Sequence, residues 1–212
     1  MRKQILFLLF LPLLSFGQDD SEIIVPSYGD KYSDFAKQLE SGQTDINYQD
    51  FRVSYIQSPQ FKLRNDSVYN NLMQVVYSGM QNMDFPKIIK ATKEMLSMDY
   101  TSMFAHMRLQ QTYKKMGDTL NYEKHHDIEF GLMKSILGSG DARSCETARF
   151  TVQKEEIYFL LDIIDAEVLK ESKDYSRPGI CYKFKVRTDT GKRNYCFYID
   201  EYRLLIGNYK YE

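Results

Sequence analysis

Residues 138–148 read Gly-Ser-Gly-Asp-Ala-Arg-Ser-Cys-Glu-Thr-Ala and hold the densest group of turn-forming residues beyond the N-terminal segment. Before this stretch, apolar residues recur with the 3.6-residue period of a helix. After it, they alternate with the two-residue period of a strand. The pattern therefore predicts an α+β fold, in which a helical part (28–137) packs with a small antiparallel sheet (138–212).

The helical part is predicted from apolar spacing and from residues that start or stop helices. Tyr32, Phe35 and Leu39 lie on one face of a first helix, and Gly42 ends it. A second short helix contains Phe51 and must stop at Pro59. Later helices are predicted to start at Asp66, Asp84, Thr101 and Asp118.

Short connections between these later helices favour antiparallel neighbours. Residues 84–137 resemble a tetratricopeptide-type (TPR-like) repeat in Ala105, Leu109, Tyr113 and Gly117, although Tyr122 stands where that repeat expects a small residue. An irregular helical bundle is the alternative.

The second part is predicted to be a sheet. The apolar run 157–164 is typical of a central strand, and segments 180–188 and 193–200 flank a hairpin turn at 189–192. Pairing Asp189 with Lys192 places the apolar side chains of both strands on one face. The opposite face then carries a basic row, Lys183, Lys185 and Arg187. Residues 200–211 either extend this sheet or cap it.

The same register separates Cys181 from Cys196 by about four residues along the ladder, roughly 13 Å. That distance is too long for a disulfide. Any disulfide must therefore involve Cys145, and three reduced thiols are the simpler expectation.

The N-terminal segment is predicted to be a signal peptide (1–17). Two cations precede an apolar run of about ten residues, which is too short to span a bilayer. Small residues then place the cleavage site between Gly17 and Gln18, followed by a flexible start (18–27). We expect an exported, soluble chain, periplasmic or secreted, with no transmembrane segment after cleavage. The net charge of −1 gives no indication of a nucleic-acid partner.

No catalytic, cofactor-binding or metal-ligating residue is predicted. The junction lacks the Gly-Lys-Ser/Thr ending of a phosphate loop and precedes a strand, so Gly140, Asp141, Ser144 and Thr147 are interpreted as a structural turn. His125 and His126 lie among charged residues, which favours a solvated helix face over a metal site. Glu155 and Glu156 would point to opposite faces of a strand and could not act together.

Several segments of the sequence also resemble an uncharacterised exported bacterial family found chiefly in Bacteroidetes, the domain of unknown function number 4919. The resemblance is carried by residues 109–118, by the junction with Gly140-Asp141, by Glu155-Glu156, and by Phe197 near Asp200. It implies architecture alone, since the family has no established activity. The family has a glycine after the Gly-Asp pair where this chain has Ala142, which predicts that no positive φ is needed there.

These observations favour a non-catalytic interaction or scaffold protein of the bacterial envelope that holds another envelope protein on its helices. One alternative is an enzyme with Asp141, Ser144 and Thr147 at the rim of a cleft between the two parts. The other is a protein that binds an anionic envelope surface through the basic row.

Overall fold

The computed structural model describes residues 23–175 and 179–199 of the chain. The predicted signal peptide, residues 18–22 of the flexible start and the segment 200–211 lie outside the described residues. The α+β fold with helices first is confirmed. Its elements are α1 (Lys31–Glu40), α2 (Tyr48–Gln57), α3 (Pro59–Leu63), α4 (Asp66–Asn82), α5 (Phe85–Met98), α6 (Met103–Met116), α7 (Thr119–Leu137), β1 (Arg149–Thr151), α8 (Lys154–Ile163), β2 (Glu167–Asp174), β3 (Ile180–Thr188) and β4 (Gly191–Ile199).

The helix starts follow local capping chemistry. Asp84 and Asp118 cap α5 and α7 as predicted, each accepting a hydrogen bond from a backbone N–H in the first turn. Two predicted starts were one residue off, because Asn65 caps α4 and Ser102 caps α6. Pro59 opens α3 as well as ending α2, since its missing N–H costs nothing in a first turn.

Consecutive helices α4 to α7 pack against one another, and α2 packs against both α1 and α7. Large aromatic side chains fill the centre, and Tyr32, Phe51 and Tyr55 are fully buried. Ile23, in the segment predicted to be a flexible start, is also buried, and its backbone N–H donates to Glu40. The described end of that segment is therefore anchored on the helical part.

The apolar run 157–164 was predicted to be a strand, and this was wrong, because it belongs to helix α8. Ile157, Phe159, Leu160 and Leu161 are all buried there, so the run lacks the polar stripe that marks a surface helix. Glu155 and Glu156 lie in the first turn, where negative side chains interact well with the helix dipole.

The sheet has the order β1-β4-β3-β2. β1 pairs parallel with β4, so the sheet is mixed, while the other pairings are antiparallel. Strand β2 was not predicted, because its sequence Glu-Val-Leu-Lys-Glu-Ser-Lys-Asp is mostly charged, as edge strands often are.

The hairpin register differs by two residues from the predicted one. Thr188 pairs with Gly191, so the loop contains two residues, and Phe184 faces Tyr195. A shift of two keeps every side chain on its predicted face. Phe184 and Val186 are therefore buried, and Lys185 is exposed.

The expectation of reduced thiols was wrong, whereas the inference that any disulfide involves Cys145 was correct. The predicted four-residue separation of Cys181 from Cys196 was also wrong, because in the observed register the two cysteines are two residues apart along the ladder. Cys145 is bonded to Cys181, with their Cα atoms 5.8 Å apart. Cys196 is a free, buried cysteine. The loop 138–148 is thus covalently attached to β3.

Candidate functional site

A cleft of about 420 Å³ lies where the helical part meets α8 and the start of β2. Much of its wall is apolar. Tyr77, Tyr158 and Val168 line it and are about 40% exposed, so they present large apolar surface to solvent. The other apolar lining residues include Met73, Phe104, Phe159 and Ala166.

One end of this cleft is polar and centres on Arg64, whose side chain is 7% exposed. Its guanidinium binds Asp66 at 2.8 Å, Asp99 at 3.0 Å and Glu155 at 3.0 Å. It also donates to the side-chain oxygen of Gln153 at 3.3 Å. Among the described residues, three carboxylates surround this one guanidinium, a formal excess of negative charge, and two of them, Asp99 and Glu155, line the cleft.

The Arg64 cluster is tied to the aromatic wall. The guanidinium lies 5.0 Å from the ring centre of Tyr69, a cation–π distance. The Tyr69 hydroxyl and the Ser102 hydroxyl are 2.6 Å apart and hydrogen-bonded. Burial raises the pKa of Asp99, while Arg64 and the hydrogen bonds from Thr101 lower it. These contacts hold the polar groups of the cleft in a fixed arrangement.

A second arginine connects the helical part to the sheet part, and its partner Glu156 is one of the residues that line the cleft. Arg52 of α2 binds Glu156 of α8 at 2.9 Å, and their side chains are 0% and 5% exposed. The same carboxylate oxygen accepts the backbone N–H of Val152 at 2.8 Å. Burial raises the pKa of Glu156, and the Arg52 charge opposes that rise.

Sequence reasoning missed both arginines and the roles of Glu155 and Glu156. One signal for Arg52 was present, since Arg52, Tyr55 and Ile56 share the i, i+3, i+4 spacing of one helix face and all three are buried. Arg64 follows a five-residue helix, so no periodic pattern marks it.

The predicted junction residues Gly140, Asp141, Ser144 and Thr147 come together in one loop. Asp141 accepts the backbone N–H of Arg143 at 3.0 Å and bonds the Thr147 hydroxyl, and these hydrogen bonds lower its pKa. A Cβ at Gly140 would lie 2.5 Å from the carbonyl oxygen of Thr147, so only glycine fits.

Ala142 within this loop has φ +61°, which corrects the expectation that no positive φ is needed there. Its backbone N–H donates to Thr147 O at 2.9 Å, and its carbonyl accepts from the N–H of Cys196 on β4 at 2.8 Å. Two backbone hydrogen bonds thus specify the strained conformation. The loop lies over the sheet, and its four predicted turn residues do not line the cleft.

The basic row is partly neutralised by the unpredicted strand β2. Lys183 pairs with Asp174 at 2.7 Å, and Arg187 pairs with Glu167 at 2.6 Å. Lys185 lies opposite Lys170 in the register. A second groove, of about 510 Å³, is bordered by the junction loop and by Lys170, Asp174, Lys183 and Lys185.

The prediction of a solvated His125 was wrong. His125 and His106 are buried, and their Nδ1 atoms lie 2.9 Å apart. His106 Nε2 lies 2.9 Å from the Tyr100 carbonyl oxygen, so Nε2 carries the proton and His106 Nδ1 accepts from His125. His125, Ile128 and Leu132 share one helix face, which was a signal for burial. His126 is exposed, as predicted.

Of the carboxylates that line the cleft, Asp99 and Glu155 are paired with Arg64, and Glu156 is paired with Arg52. The arrangement is suited to binding an apolar group beside a positive charge. Among residues 23–175 and 179–199, no helix is long and apolar enough to cross a membrane.

Comparison of the chain with protein-family models, with curated proteins and with solved structures finds no match. The resemblance to the domain of unknown function number 4919, and the TPR-like character of the helices, stay predictions.

Proposed function

We propose that this chain is a non-catalytic binding protein whose cleft takes a segment of a partner protein, with an apolar side chain next to a lysine or arginine. The observation that carries the proposal is the combination of an apolar cleft with an acidic end. The apolar wall supplies the binding energy, since burying one large apolar side chain is worth roughly 1.5–3 kcal/mol.

The charge around Arg64 selects the kind of segment. Asp66 and Glu155 are about half exposed, so their carboxylates face solvent as well as Arg64. A cation from the partner would meet this excess negative charge, which favours encounter and orientation more than affinity. The proposal thus commits to a basic-apolar segment. Export rests on the N-terminal pattern, and we propose that the partner is another envelope protein.

The two alternatives have less support. The enzyme hypothesis relied on Asp141, Ser144 and Thr147 at a cleft between the two parts, but these residues lie in the loop over the sheet and are hydrogen-bonded to one another. The anionic-surface hypothesis relied on a free basic row, but Lys183 and Arg187 are ion-paired.

Two exposed valines provide a matched test. Val168 lines the cleft and is 40% exposed, whereas Val68 on α4 is 38% exposed and lies outside the cleft lining. A displayed library of random extended peptides is selected on the wild-type protein. We expect enriched peptides to carry an aromatic or aliphatic residue within two positions of Lys or Arg.

The enriched peptides are then measured against Val168→Arg and Val68→Arg by fluorescence anisotropy. Val168→Arg should weaken binding at least about tenfold, because it removes apolar contact and places a cation in the cleft. Val68→Arg should change binding less than about twofold. Equal affinity for the two variants, or enrichment without the basic-apolar pattern, would contradict the proposal.

A further inference from the structure

Three cysteine sulfurs meet on the outer face of the sheet, away from the cleft. Cys145 comes from the junction loop, Cys181 from β3 and Cys196 from β4, and their Sγ atoms all lie within 4.8 Å of one another. Cys145 and Cys181 form the disulfide, and Cys196 is 6% exposed. The chain has three cysteines in total, so all of them converge on this point.

The backbone fixes this convergence. Cys196 lies opposite Lys183 in the β3–β4 ladder, and Cys181 is two residues from Lys183, so both cysteines point to the same face. The hydrogen bond from the N–H of Cys196 to the carbonyl of Ala142 holds the junction loop against β4. The three sulfurs are therefore positioned by the β3–β4 pairing and by the hydrogen bond between the junction loop and β4, in addition to the disulfide.

We propose that reduction of the Cys145–Cys181 disulfide converts this cluster into a three-thiolate site for one thiophilic divalent metal ion of the zinc type. Thiolate sulfur is the preferred ligand of zinc, and Zn–S bonds of about 2.3 Å place tetrahedral ligands about 3.8 Å apart. Cys196 Sγ lies within 4.8 Å of both bonded sulfurs, so once the disulfide is broken a separation of the Cys145 and Cys181 sulfurs by about 2 Å gives that spacing. The cluster borders the groove, from which a water molecule can reach the fourth position.

The charges around the cluster suit a metal–thiolate complex. A divalent ion with three thiolates carries a net charge of −1, and Lys183 and Lys185 border the same groove. Burial raises the pKa of the Cys196 thiol, the Lys183 charge lowers it, and the Glu146 charge raises it. The metal therefore supplies the positive charge that a buried thiolate otherwise lacks.

The chemistry needs one named co-reactant, a dithiol reductant. The reductant donates two electrons and two protons to the Cys145–Cys181 bond, which breaks to two thiols as the reductant closes its own disulfide. Binding of the metal ion then displaces one proton from each of the three thiols. The oxidised protein retains one thiol and should bind the metal weakly.

The test uses the full-length protein, Zn²⁺ as the probe and a chromophoric chelator as the competitor, after a dithiol reductant has been applied and removed under anaerobic conditions. We expect one Zn²⁺ per reduced chain and none above background for the oxidised chain. Cys196→Ser keeps the disulfide and so folds as an oxidised control. Its reduced form should bind Zn²⁺ at least about 100-fold more weakly, since even changes behind a metal ligand cost 10–100-fold.

Far-ultraviolet circular dichroism separates binding from folding. If reduction loosens the chain, one equivalent of Zn²⁺ should restore the spectrum of the oxidised protein, but not in reduced Cys196→Ser. Equal zinc affinity of the reduced wild type and reduced Cys196→Ser would overturn the proposal, whether or not the reduced chains are folded.

Discussion

Two neighbouring glutamates at the start of α8 bind two arginines of the helical part, at almost equal distances. Glu156 meets Arg52 at 2.9 Å, and Glu155 meets Arg64 at 3.0 Å. The Glu156 side chain is 5% exposed, whereas that of Glu155 is 53% exposed. Distance therefore does not distinguish the two ion pairs, and exposure to water does. One pair stabilises the joint between helices and sheet, and the other shapes the charge of the cleft.

The buried pair is costly to break because its members cannot return to water. Arg52 is fully buried, and a guanidinium does not lose its proton at any ordinary pH. Its other contacts are weaker, with one hydrogen bond of 3.4 Å to the Phe150 carbonyl. Without Glu156, its charge would stay buried with little compensation.

The largest expected effect is therefore that of Glu156→Gln. We expect this change to lower the free energy of unfolding by about 3–5 kcal/mol, measured by urea denaturation. The double variant Arg52→Met with Glu156→Leu should recover most of the loss, because well-packed apolar side chains can replace a buried ion pair. A loss of under about 1 kcal/mol for Glu156→Gln would contradict the comparison.

The difference in exposure between Glu155 and Glu156 could not be predicted from the sequence, because both residues were assigned to a strand. A nearly continuous apolar run such as 157–164 lacks a polar stripe in its sequence, so its period distinguishes helix from strand poorly. The run is eight residues long, which lies within the usual range of strands, so its length did not favour a helix. Burial of Glu156 depends on Arg52, which is 104 positions away in the chain.

Local signals succeeded where the structure is determined locally. Asp84 and Asp118 cap helices because each cap is made within three residues. The faces of β3 and β4 follow from alternation, which survives the two-residue error in register. The cleft was not predictable from such signals, since Arg64, Asp99 and Glu155 meet only when three elements pack together.

His106 and His125 form a second buried polar contact, within the helical part. Burial lowers the pKa of His106 to about 3, and it lowers that of His125 well below its ordinary value. Lys124 lowers both further, and His106 lowers that of His125, whereas the bond to the Tyr100 carbonyl raises that of His106. Both rings are therefore neutral in the folded chain at neutral pH.

The sign of the pH dependence follows from these lowered values. Stability from the pair is fully present above the unfolded pKa of about 6.5, and it falls as the pH drops below that value, because the unfolded chain takes up two protons. Between pH 7.5 and 5.5 the two histidines should cost about 2.7 kcal/mol. Urea denaturation at both pH values measures the loss.

Two variants separate this effect from general acid destabilisation. His106→Gln combined with His125→Asn removes both titrating rings, so the loss between pH 7.5 and 5.5 should become much smaller. His126→Gln, at the exposed neighbour, should leave the loss unchanged. Equal pH dependence in the wild type and the double variant would show that the buried pair does not control acid stability.

The smallest expected effect on stability is that of Glu155→Gln, the exposed counterpart of the first change. Arg64 keeps Asp66 and Asp99 as partners, and an ion pair exposed to water contributes about 0–1 kcal/mol. We therefore expect a loss below about 1 kcal/mol by urea denaturation. Binding should respond differently, because Glu155 is the exposed one of the two Arg64-bound carboxylates that line the cleft.

Peptides of the basic-apolar class should accordingly associate more slowly with Glu155→Gln, with the largest difference at low salt. Glu156→Gln, measured under conditions in which it remains folded, should leave the salt dependence of association closer to that of the wild type, since its carboxylate is only 5% exposed and is paired with Arg52. Stopped-flow fluorescence at two ionic strengths measures both. If Glu155→Gln costs as much stability as Glu156→Gln, exposure to water is not what distinguishes the two ion pairs. If it leaves peptide association unchanged, the acidic end does not select the occupant of the cleft.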